Sequence, residues 1–208
     1  IKTIQLQNFR CFENFSAELN EKLTVIVGNN GSGKSSLLDA IAVAIGTFLV
    51  PFSKASSVTI AKDDVLNKSY DLGSVVELQP QYPVEISASG LFDGKEIFWK
   101  RTLNGAEGKT TVGDSKSIIS IAKNLNHQIQ TGEKPLLPVL SYYGTGRLWA
   151  QKRERKSVSK ASKFNRQMGY MDCLDAESNE KLMLKWFEKM TLQGAVSGKI
   201  APELMAVK

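Results

Sequence analysis

The amino-acid sequence predicts an α/β fold in which strands and helices are arranged around one glycine-rich loop. The first observation is the stretch "VIVGNNGSGKSSLLDAI" at residues 25–41, where an apolar run enters the loop and an apolar helix leaves it. The second is a hairpin pattern at residues 83–103, and the third is an amphipathic helix at residues 115–130. With 208 residues, of which 42% are hydrophobic and 23% charged, the chain can bury a globular core.

The loop fits the phosphate-binding pattern G-x-x-x-x-G-K-[ST]. Its glycines permit positive φ and a close backbone approach, so that successive N–H groups can converge on an anion. Lys34 would place its ammonium on the β- and γ-phosphates as the catalytic residue, and the Ser35 hydroxyl would bind Mg²⁺. The alternative is a glycine-rich turn without a ligand. The residues predicted to bind the cofactor ATP are Gly28, Asn29, Asn30, Gly31, Ser32, Gly33, Lys34, Ser35 and Ser36.

The elements on either side of the loop come in the order that this motif requires. "KLTVIV" (Lys22–Val27) is rich in β-branched residues and predicts a strand, and "SSLLDAIAVAI" (Ser35–Ile45) predicts a buried helix. A GTPase is disfavoured because the chain has no D-x-x-G switch and its one Asn-Lys pair does not continue as a guanine reader. The apolar positions at helical spacing in the predicted helix are Leu37, Leu38, Ile41 and Ile45.

Residues 1–41, "IKTIQLQNFRCFENFSAELNEKLTVIVGNNGSGKSSLLDAI", resemble the N-terminal segment of the SMC/RecF class of ABC-type ATPases. The features that carry the resemblance are a strand ending in "NFR" (residues 8–10), a second strand with Phe12 and Phe15, and the P-loop with its helix. The resemblance implies a P-loop ABC-type ATPase lobe with a mixed sheet, an antiparallel β-layer and a helical insertion. In that family the arginine at the position of Arg10 lies near the nucleotide, which implies a contact with ATP; the alternative is a solvated cation at a strand end.

The middle of the chain fits the same architecture. "PVEISASGLFDGKEIFWKRTL" (Pro83–Leu103) alternates on both sides of Asp93-Gly94, which predicts a hairpin. "SKSIISIAKNLNHQIQ" (Ser115–Gln130) predicts an amphipathic helix with His127 on its surface, and "PLLPVLSYYGTGRLW" (Pro135–Trp149) predicts an apolar strand. We therefore expect the N-terminal part of an ATPase domain over residues 1–143, with the P-loop at 28–35 and the β-layer at about 73–104, and a basic segment with a helical subdomain over 144–208.

The strand at Pro135–Trp149 lies where ABC-type ATPases carry the Q-loop, whose glutamine contacts Mg²⁺. This chain departs from that pattern, because the nearest following glutamine, Gln151, is several residues late. Either Gln151 or a group on Gly144–Arg147 would take that role.

A narrower resemblance concerns "LPVLSYYGTGRLW" together with "NRQMGYMDCLDAESNEKLMLKWFEKM" (Asn165–Met190). These segments are similar to the PtuA ATPases of Septu and retron-associated antiphage defence systems. The resemblance implies an ATPase subunit that controls a partner nuclease. The partners that it implies are an HNH nuclease of PtuB type, a retron reverse transcriptase with its DNA and RNA, and further copies of the chain in a head-to-tail dimer or a higher oligomer.

Eight cations and one acid lie between Thr145 and Tyr170, so this basic segment carries a net charge of +7, and the remaining residues sum to −1. Such a segment supplies phosphate contacts to nucleic acid, or forms a solvated loop or a docking surface for an acidic partner. The candidate contacts are Arg147, Lys152, Arg153, Arg155 and Lys156. After it, "EKLMLKWFEKM" (Glu180–Met190) predicts a helix with an apolar face.

Several expected motifs are missing from the sequence. No run of four apolar residues precedes an acid pair, so we find no Walker B strand, and we find no LSGG-type signature. We therefore expect the C-terminal half of the ATPase domain to be absent from these residues. Two interpretations follow. In the first, these residues are part of a longer ATPase that hydrolyses ATP. In the second, they form a nucleotide-binding module that does not hydrolyse ATP. Two distant cysteines and one histidine argue against zinc or a disulfide framework, and we expect a cytoplasmic protein without membrane contact.

Overall fold

The structure, a computed structural model, describes residues 1–53, 55–71, 73, 76–145, 166–175, 180–198 and 202–205. Its strands are β1 (Thr3–Phe9), β2 (Phe12–Glu18), β3 (Asn67–Asp71), β4 (Val76–Pro80), β5 (Val84–Phe92) and β6 (Lys95–Leu103). Its α-helices are α1 (Lys34–Leu49), α2 (Lys116–Gln130), α3 (Glu180–Ser197) and α4 (Pro202–Met205), and short 3₁₀ turns lie at Lys62–Asp64, Gly113–Ser115 and Arg166–Tyr170.

Four strands form an antiparallel sheet in the order β2-β1-β5-β6. Strands β5 and β6 pair from Val84↔Leu103 to Phe92↔Lys95. The turn between them is Asp93-Gly94, with φ of 50° and 73°, as a type I′ hairpin requires. The predicted hairpin is therefore confirmed, and so is the α/β class with its antiparallel layer. Strands β3 and β4 form a separate two-stranded antiparallel sheet.

Helix α1 covers the inner face of the four-stranded sheet. The alternation of the strands places their apolar side chains on this face, where they form one core with α1 and α2. The Trp99 indole of β6 donates a hydrogen bond of 2.9 Å to the Ala44 carbonyl of α1. Next to α2, the Ser115 and Ser117 hydroxyls donate to the carbonyls of Lys100 and Phe98 on β6. The predicted amphipathic helix is confirmed, with Ile118, Ala122 and Leu125 buried and His127 exposed.

The predicted burial of α1 is wrong in part. The helix extends four residues beyond the predicted end at Ile45, and Leu38 is 42% exposed. Several of its buried residues are small, so the buried face includes alanines as well as large apolar residues. The buried residues of α1 are Leu37, Ala40, Ala42, Val43, Ala44, Gly46, Thr47, Phe48 and Leu49.

Two predicted strands are not formed. Lys22–Val27 carries no regular secondary structure, and Val27 is 88% exposed. The same holds for the described part of Pro135–Trp149, where Leu136 is 93% exposed. A strand needs a neighbour for its N–H and C=O groups, and neither segment has one among the described residues. All strand pairs that the structure describes are antiparallel, so no parallel pair accompanies the P-loop there.

The chain forms two compact units. The first comprises Ile1–Tyr142 and Phe164–Leu174, and the second Tyr143–Lys163 and Asp175–Lys208. In the first unit, the Tyr170 ring packs on Phe52 with a centroid separation of 5.1 Å, and its hydroxyl donates to the Pro138 carbonyl. In the second unit, α3 confirms the predicted helix at Glu180–Met190. Among the described helices, none has both the length and the apolar character that crossing a bilayer requires.

Candidate phosphate-binding site

The predicted phosphate loop forms a compact turn between residue 28 and the start of α1. The Ser32 N–H donates to the Asn29 carbonyl at 3.2 Å, and the Leu37 N–H donates to the Gly33 carbonyl at 2.9 Å, which starts the helix. Gly31 and Gly33 have φ of 82° and 90°. Only glycine adopts this region without strain, which explains the second glycine of the motif, Gly33, and the glycine at the variable position 31.

The loop lies against the β1–β2 turn. A Cβ atom on Gly33 would be 2.7 Å from the Cys11 Sγ and 2.6 Å from the Phe12 Cζ. A Cβ atom on Gly28 would be 2.6 Å from the Ser32 Oγ. The Cys11 and Phe12 distances are shorter than real Cβ contacts, so packing favours glycine at position 33 as well, whereas the Ser32 hydroxyl could rotate away from a Cβ at position 28.

The first turn of α1 is free to bind an anion. Gly33 is its N-cap and supplies no side-chain hydrogen bond, and no acidic residue lies in the first turn. The N–H groups at the start of an α-helix have no acceptor within the helix, and the helix dipole is positive there. The Ser35 hydroxyl belongs to this turn on an exposed residue. The arrangement therefore suits a phosphate group.

Lys34 bends back over the loop. Its Nζ donates to the Gly28 carbonyl at 2.8 Å and to the Asn29 carbonyl at 2.6 Å. These bonds hold the ammonium against the backbone of the loop. The structure thus brings together the lysine, the glycines and the serines that the motif predicts.

The donor set fits a nucleotide with Mg²⁺. Converging N–H groups and an ammonium suit phosphate oxygens, and the hydroxyl of Ser35 is a single hard ligand. Among the described residues, no three His, Cys, Asp or Glu side chains form a metal-binding group. A single protein ligand is compatible with Mg²⁺, because this ion is commonly held by one or two protein oxygens, water and the phosphates of the nucleotide.

Arg10 takes part in an ion-pair cluster beside the loop. Its guanidinium donates from Nε to the Asp64 Oδ1 at 2.7 Å and from Nη1 to the Asp39 Oδ2, and it lies over the Phe9 ring. The Arg10 N–H also donates to the Asp64 carbonyl at 2.7 Å, with Arg10 at φ of 51°. Burial lowers the pKa of Arg10, but the bonds to Asp64 and Asp39 outweigh it and raise that pKa. Arg10 is therefore not a free solvated cation.

Asp39 is the centre of this cluster and was not predicted. It lies on α1 four residues after Ser35, and its second oxygen, Oδ1, accepts a hydrogen bond from the Tyr142 hydroxyl. Burial first, and the bond to Asp39 second, raise the pKa of Tyr142. The sequence offered one signal: an aspartate inside an otherwise apolar helix needs a partner.

The predicted basic contacts cannot be placed. Gln151 and the candidates Arg147, Lys152, Arg153, Arg155 and Lys156 lie outside the described residues.

Comparison with known proteins identifies the family of the chain. Residues 3–193 match a family model described as an AAA domain, AAA_23. Because the match covers most of the sequence, the chain belongs to this family of ATPase domains.

The relatives define the class more closely. The chain is 30% identical over 143 residues to Structural maintenance of chromosomes protein 6 of Saccharomyces cerevisiae, a match over 69% of this chain and 12% of that protein. It is 44% identical over 61 residues to the DNA double-strand break repair Rad50 ATPase of Halobacterium salinarum, over 29% of this chain and 7% of that protein. It is 31% identical over 91 residues to the DNA replication and repair protein RecF of Acholeplasma laidlawii, over 43% and 24%. These matches confirm the SMC/RecF class of ABC-type ATPases.

Proposed function

We propose that Gly28–Ser36 bind the triphosphate of ATP with Mg²⁺, and that the complete protein hydrolyses ATP. The observation that carries the proposal is the start of α1, an uncapped helix N-terminus that follows a loop with two positive-φ glycines. Few other ligands need N–H donors, a lysine and a serine hydroxyl in this order. The family match supports nucleotide use in general.

Each residue of the loop has a separate task in this proposal. The N–H groups of the loop and of the first turn of α1 bind phosphate oxygens, and Lys34 neutralises charge on the β- and γ-phosphates. Ser35 binds Mg²⁺, which, when bound, neutralises further charge on the same phosphates. The Arg10 guanidinium has five N–H donors, and its Nε and Nη1 donate to Asp64 and Asp39, so in this proposal Arg10 contacts the nucleotide through its remaining donors.

The exposed apolar residues around the loop support a larger assembly. The side chains of Leu23, Val25 and Val27, which lead into the loop, are exposed. Leu136 and Val139, in the other segment that was predicted as a strand (Pro135–Trp149), are also exposed. We propose that a strand carrying the Walker B acids pairs with these segments and positions the hydrolytic water. We also propose that two copies combine head to tail around two nucleotides, or form a higher oligomer.

The biological role that we propose is antiphage defence in the bacterial cytoplasm. The support is the resemblance of "LPVLSYYGTGRLW" and Asn165–Met190 to PtuA ATPases. In this role ATP binding and hydrolysis control a partner nuclease, for which we propose an HNH nuclease of PtuB type. A retron reverse transcriptase is the second candidate partner. The basic segment would contact their nucleic acid or an acidic surface of a partner.

A second candidate function is DNA maintenance. It is favoured by the names of the relatives, which include a Rad50 ATPase of double-strand break repair and a RecF protein of replication and repair. A third is a module that binds ATP without turnover.

Phosphate release by the protein purified from its native host tests the enzymatic proposal. We expect release with Mg²⁺ and ATP from the wild type and from the control variant Lys95→Ala, which removes an exposed lysine of β6. Lys34→Ala should release none. Binding of ATP by the wild type without any phosphate release would contradict hydrolysis and favour the binding module.

The biological proposal is tested by comparing two phenotypes of Lys34→Ala in the native operon. For a defence ATPase we expect phage to plate more efficiently on the variant strain, while survival after DNA damage stays unchanged. Unchanged phage plating together with lower survival after DNA damage would contradict the defence role and support DNA maintenance.

A further inference from the structure

Asp39 lies at a junction of four segments of the first unit. Its carboxylate accepts hydrogen bonds from Arg10 of the β1–β2 turn and from the Tyr142 hydroxyl. Arg10 is bonded in turn to Asp64, whose Oδ2 accepts the Ala61 N–H at 2.8 Å. Asp39 therefore contacts two of these segments directly and the turn at residues 61–64 only through Arg10.

The junction is one helical turn from the proposed phosphate site. Asp39 follows Ser35 by four residues, so the two side chains lie on the same side of α1. Helix α1 begins at Lys34, directly after the loop. Whatever fixes the first turn of α1 therefore also restricts Asp39.

Tyr142 joins the two stretches of chain that make up the first unit. It is the last residue of Ile1–Tyr142, and its N–H donates to the Cys173 carbonyl, in Phe164–Leu174, at 2.8 Å. Its side chain bonds to Asp39 while its backbone bonds to Cys173. Cys173 lies one residue before the end of Phe164–Leu174, so the two places where the chain leaves this unit meet at Tyr142, which also contacts the P-loop helix.

We propose that Tyr142 is a positioning residue that couples the phosphate site, through Asp39, to these two exits of the chain. The inference rests on the proposed binding of ATP. An anion held by the first turn of α1 reduces the motion of Asp39, and the bond from Tyr142 then opens less often. Coupling of this kind needs no large displacement, because it works through the frequency of local opening.

The test is hydrogen exchange at the Tyr142 amide, measured with and without Mg²⁺ and ATP on the complete protein. In the wild type we expect ATP to slow exchange by about fivefold or more, the lower end of ordinary coupling between sites. Tyr142→Phe keeps the amide and the ring but lacks the hydroxyl, so we expect unchanged ATP affinity and no effect of ATP on exchange. Tyr70→Phe, the same change on β3, should behave as the wild type.

The outcomes separate coupling from stability and from ATP binding itself. A purely structural role would raise exchange in Tyr142→Phe and keep its ATP dependence, which would overturn the proposal. Wild-type protein that binds ATP without slower exchange at Tyr142 would also overturn it, and the proposed function would stand. Wild-type protein that does not bind ATP at all would overturn both.

Discussion

Glycines 31 and 33 show how single residues determine the candidate site. Both have positive φ, but a Cβ on Gly31 would meet nothing within 4 Å, whereas a Cβ on Gly33 would overlap Cys11 and Phe12. Substitution of Gly31 therefore introduces backbone strain alone, whereas substitution of Gly33 introduces backbone strain and a packing clash. The G-x-x-x-x-G-K-[ST] pattern predicts the second of these glycines but does not reveal that the β1–β2 turn packs against it.

We expect Gly33→Ala to lower the free energy of unfolding more than Gly31→Ala does. Left-handed backbone costs about 1–2 kcal/mol in either variant, and Gly33→Ala adds the cost of moving Phe12 and Cys11. Chemical denaturation of both variants measures the difference. Equal losses in the two variants would show that Gly33 is not constrained by the β1–β2 turn.

The alternation of polar and apolar residues along β6 did not reveal the environment of Arg101. It lies on the inner face of β6, 2% exposed, and no carboxylate contacts it in the described part of the structure. Its Nη1 makes hydrogen bonds of 3.3–3.5 Å to Thr47, Ser57 and Val58, and its Nε has no partner. Burial lowers the pKa of Arg101 to about 10, so the charged form is disfavoured relative to water.

We expect Arg101→Met to leave the free energy of unfolding unchanged or to raise it by about 1 kcal/mol, since an apolar side chain removes a buried charge without a counter-ion. Lys100→Met is the matched control on the other face of β6, where Lys100 pairs with Glu85 at 3.0 Å. That control should cost about 0.5 kcal/mol or less. Strong destabilisation by Arg101→Met alone would mean that the guanidinium is needed in the core.

At the scale of elements, sequence patterns predicted what depends on local contacts. The Asp93-Gly94 hairpin and helix α2 are determined by turn residues and by helical periodicity, and both were predicted closely. Lys22–Val27 was predicted as a strand because of its β-branched residues, but a strand also needs a partner, and no described residue pairs with it. The Arg10–Asp39–Tyr142 cluster was missed because its members are 29 and 103 residues apart, a separation that no local pattern encodes.

Trp99 of β6 donates a buried hydrogen bond to α1. We expect Trp99→Phe to destabilise the first unit by about 1–3 kcal/mol, because the Ala44 carbonyl loses its donor and a cavity remains. Phe98→Leu changes the neighbouring, exposed residue of the same strand and should cost about 0.5 kcal/mol or less. Denaturation curves that show equal costs for the two changes would contradict the importance of this contact.

On the scale of the whole molecule, the sequence and the structure support one part of an ATPase site more fully than the rest. The loop, Lys34 and the first turn of α1 are together in space as the motif predicts. The chain spans 12% of the SMC6 protein, 7% of the Rad50 ATPase and 24% of the RecF protein that it matches. The sequence contains no Walker B pattern and no LSGG-type signature to position the hydrolytic water.

The most direct test of the central claim is a calorimetric titration of the protein with ATP in the presence of Mg²⁺. We expect saturable binding by the wild type and by Lys95→Ala, and an affinity lower by about tenfold or more for Lys34→Ala, the equivalent of one charge-assisted hydrogen bond. The same affinity in wild type and Lys34→Ala, or no binding by folded wild-type protein, would contradict the assignment of Gly28–Ser36 as the ATP site.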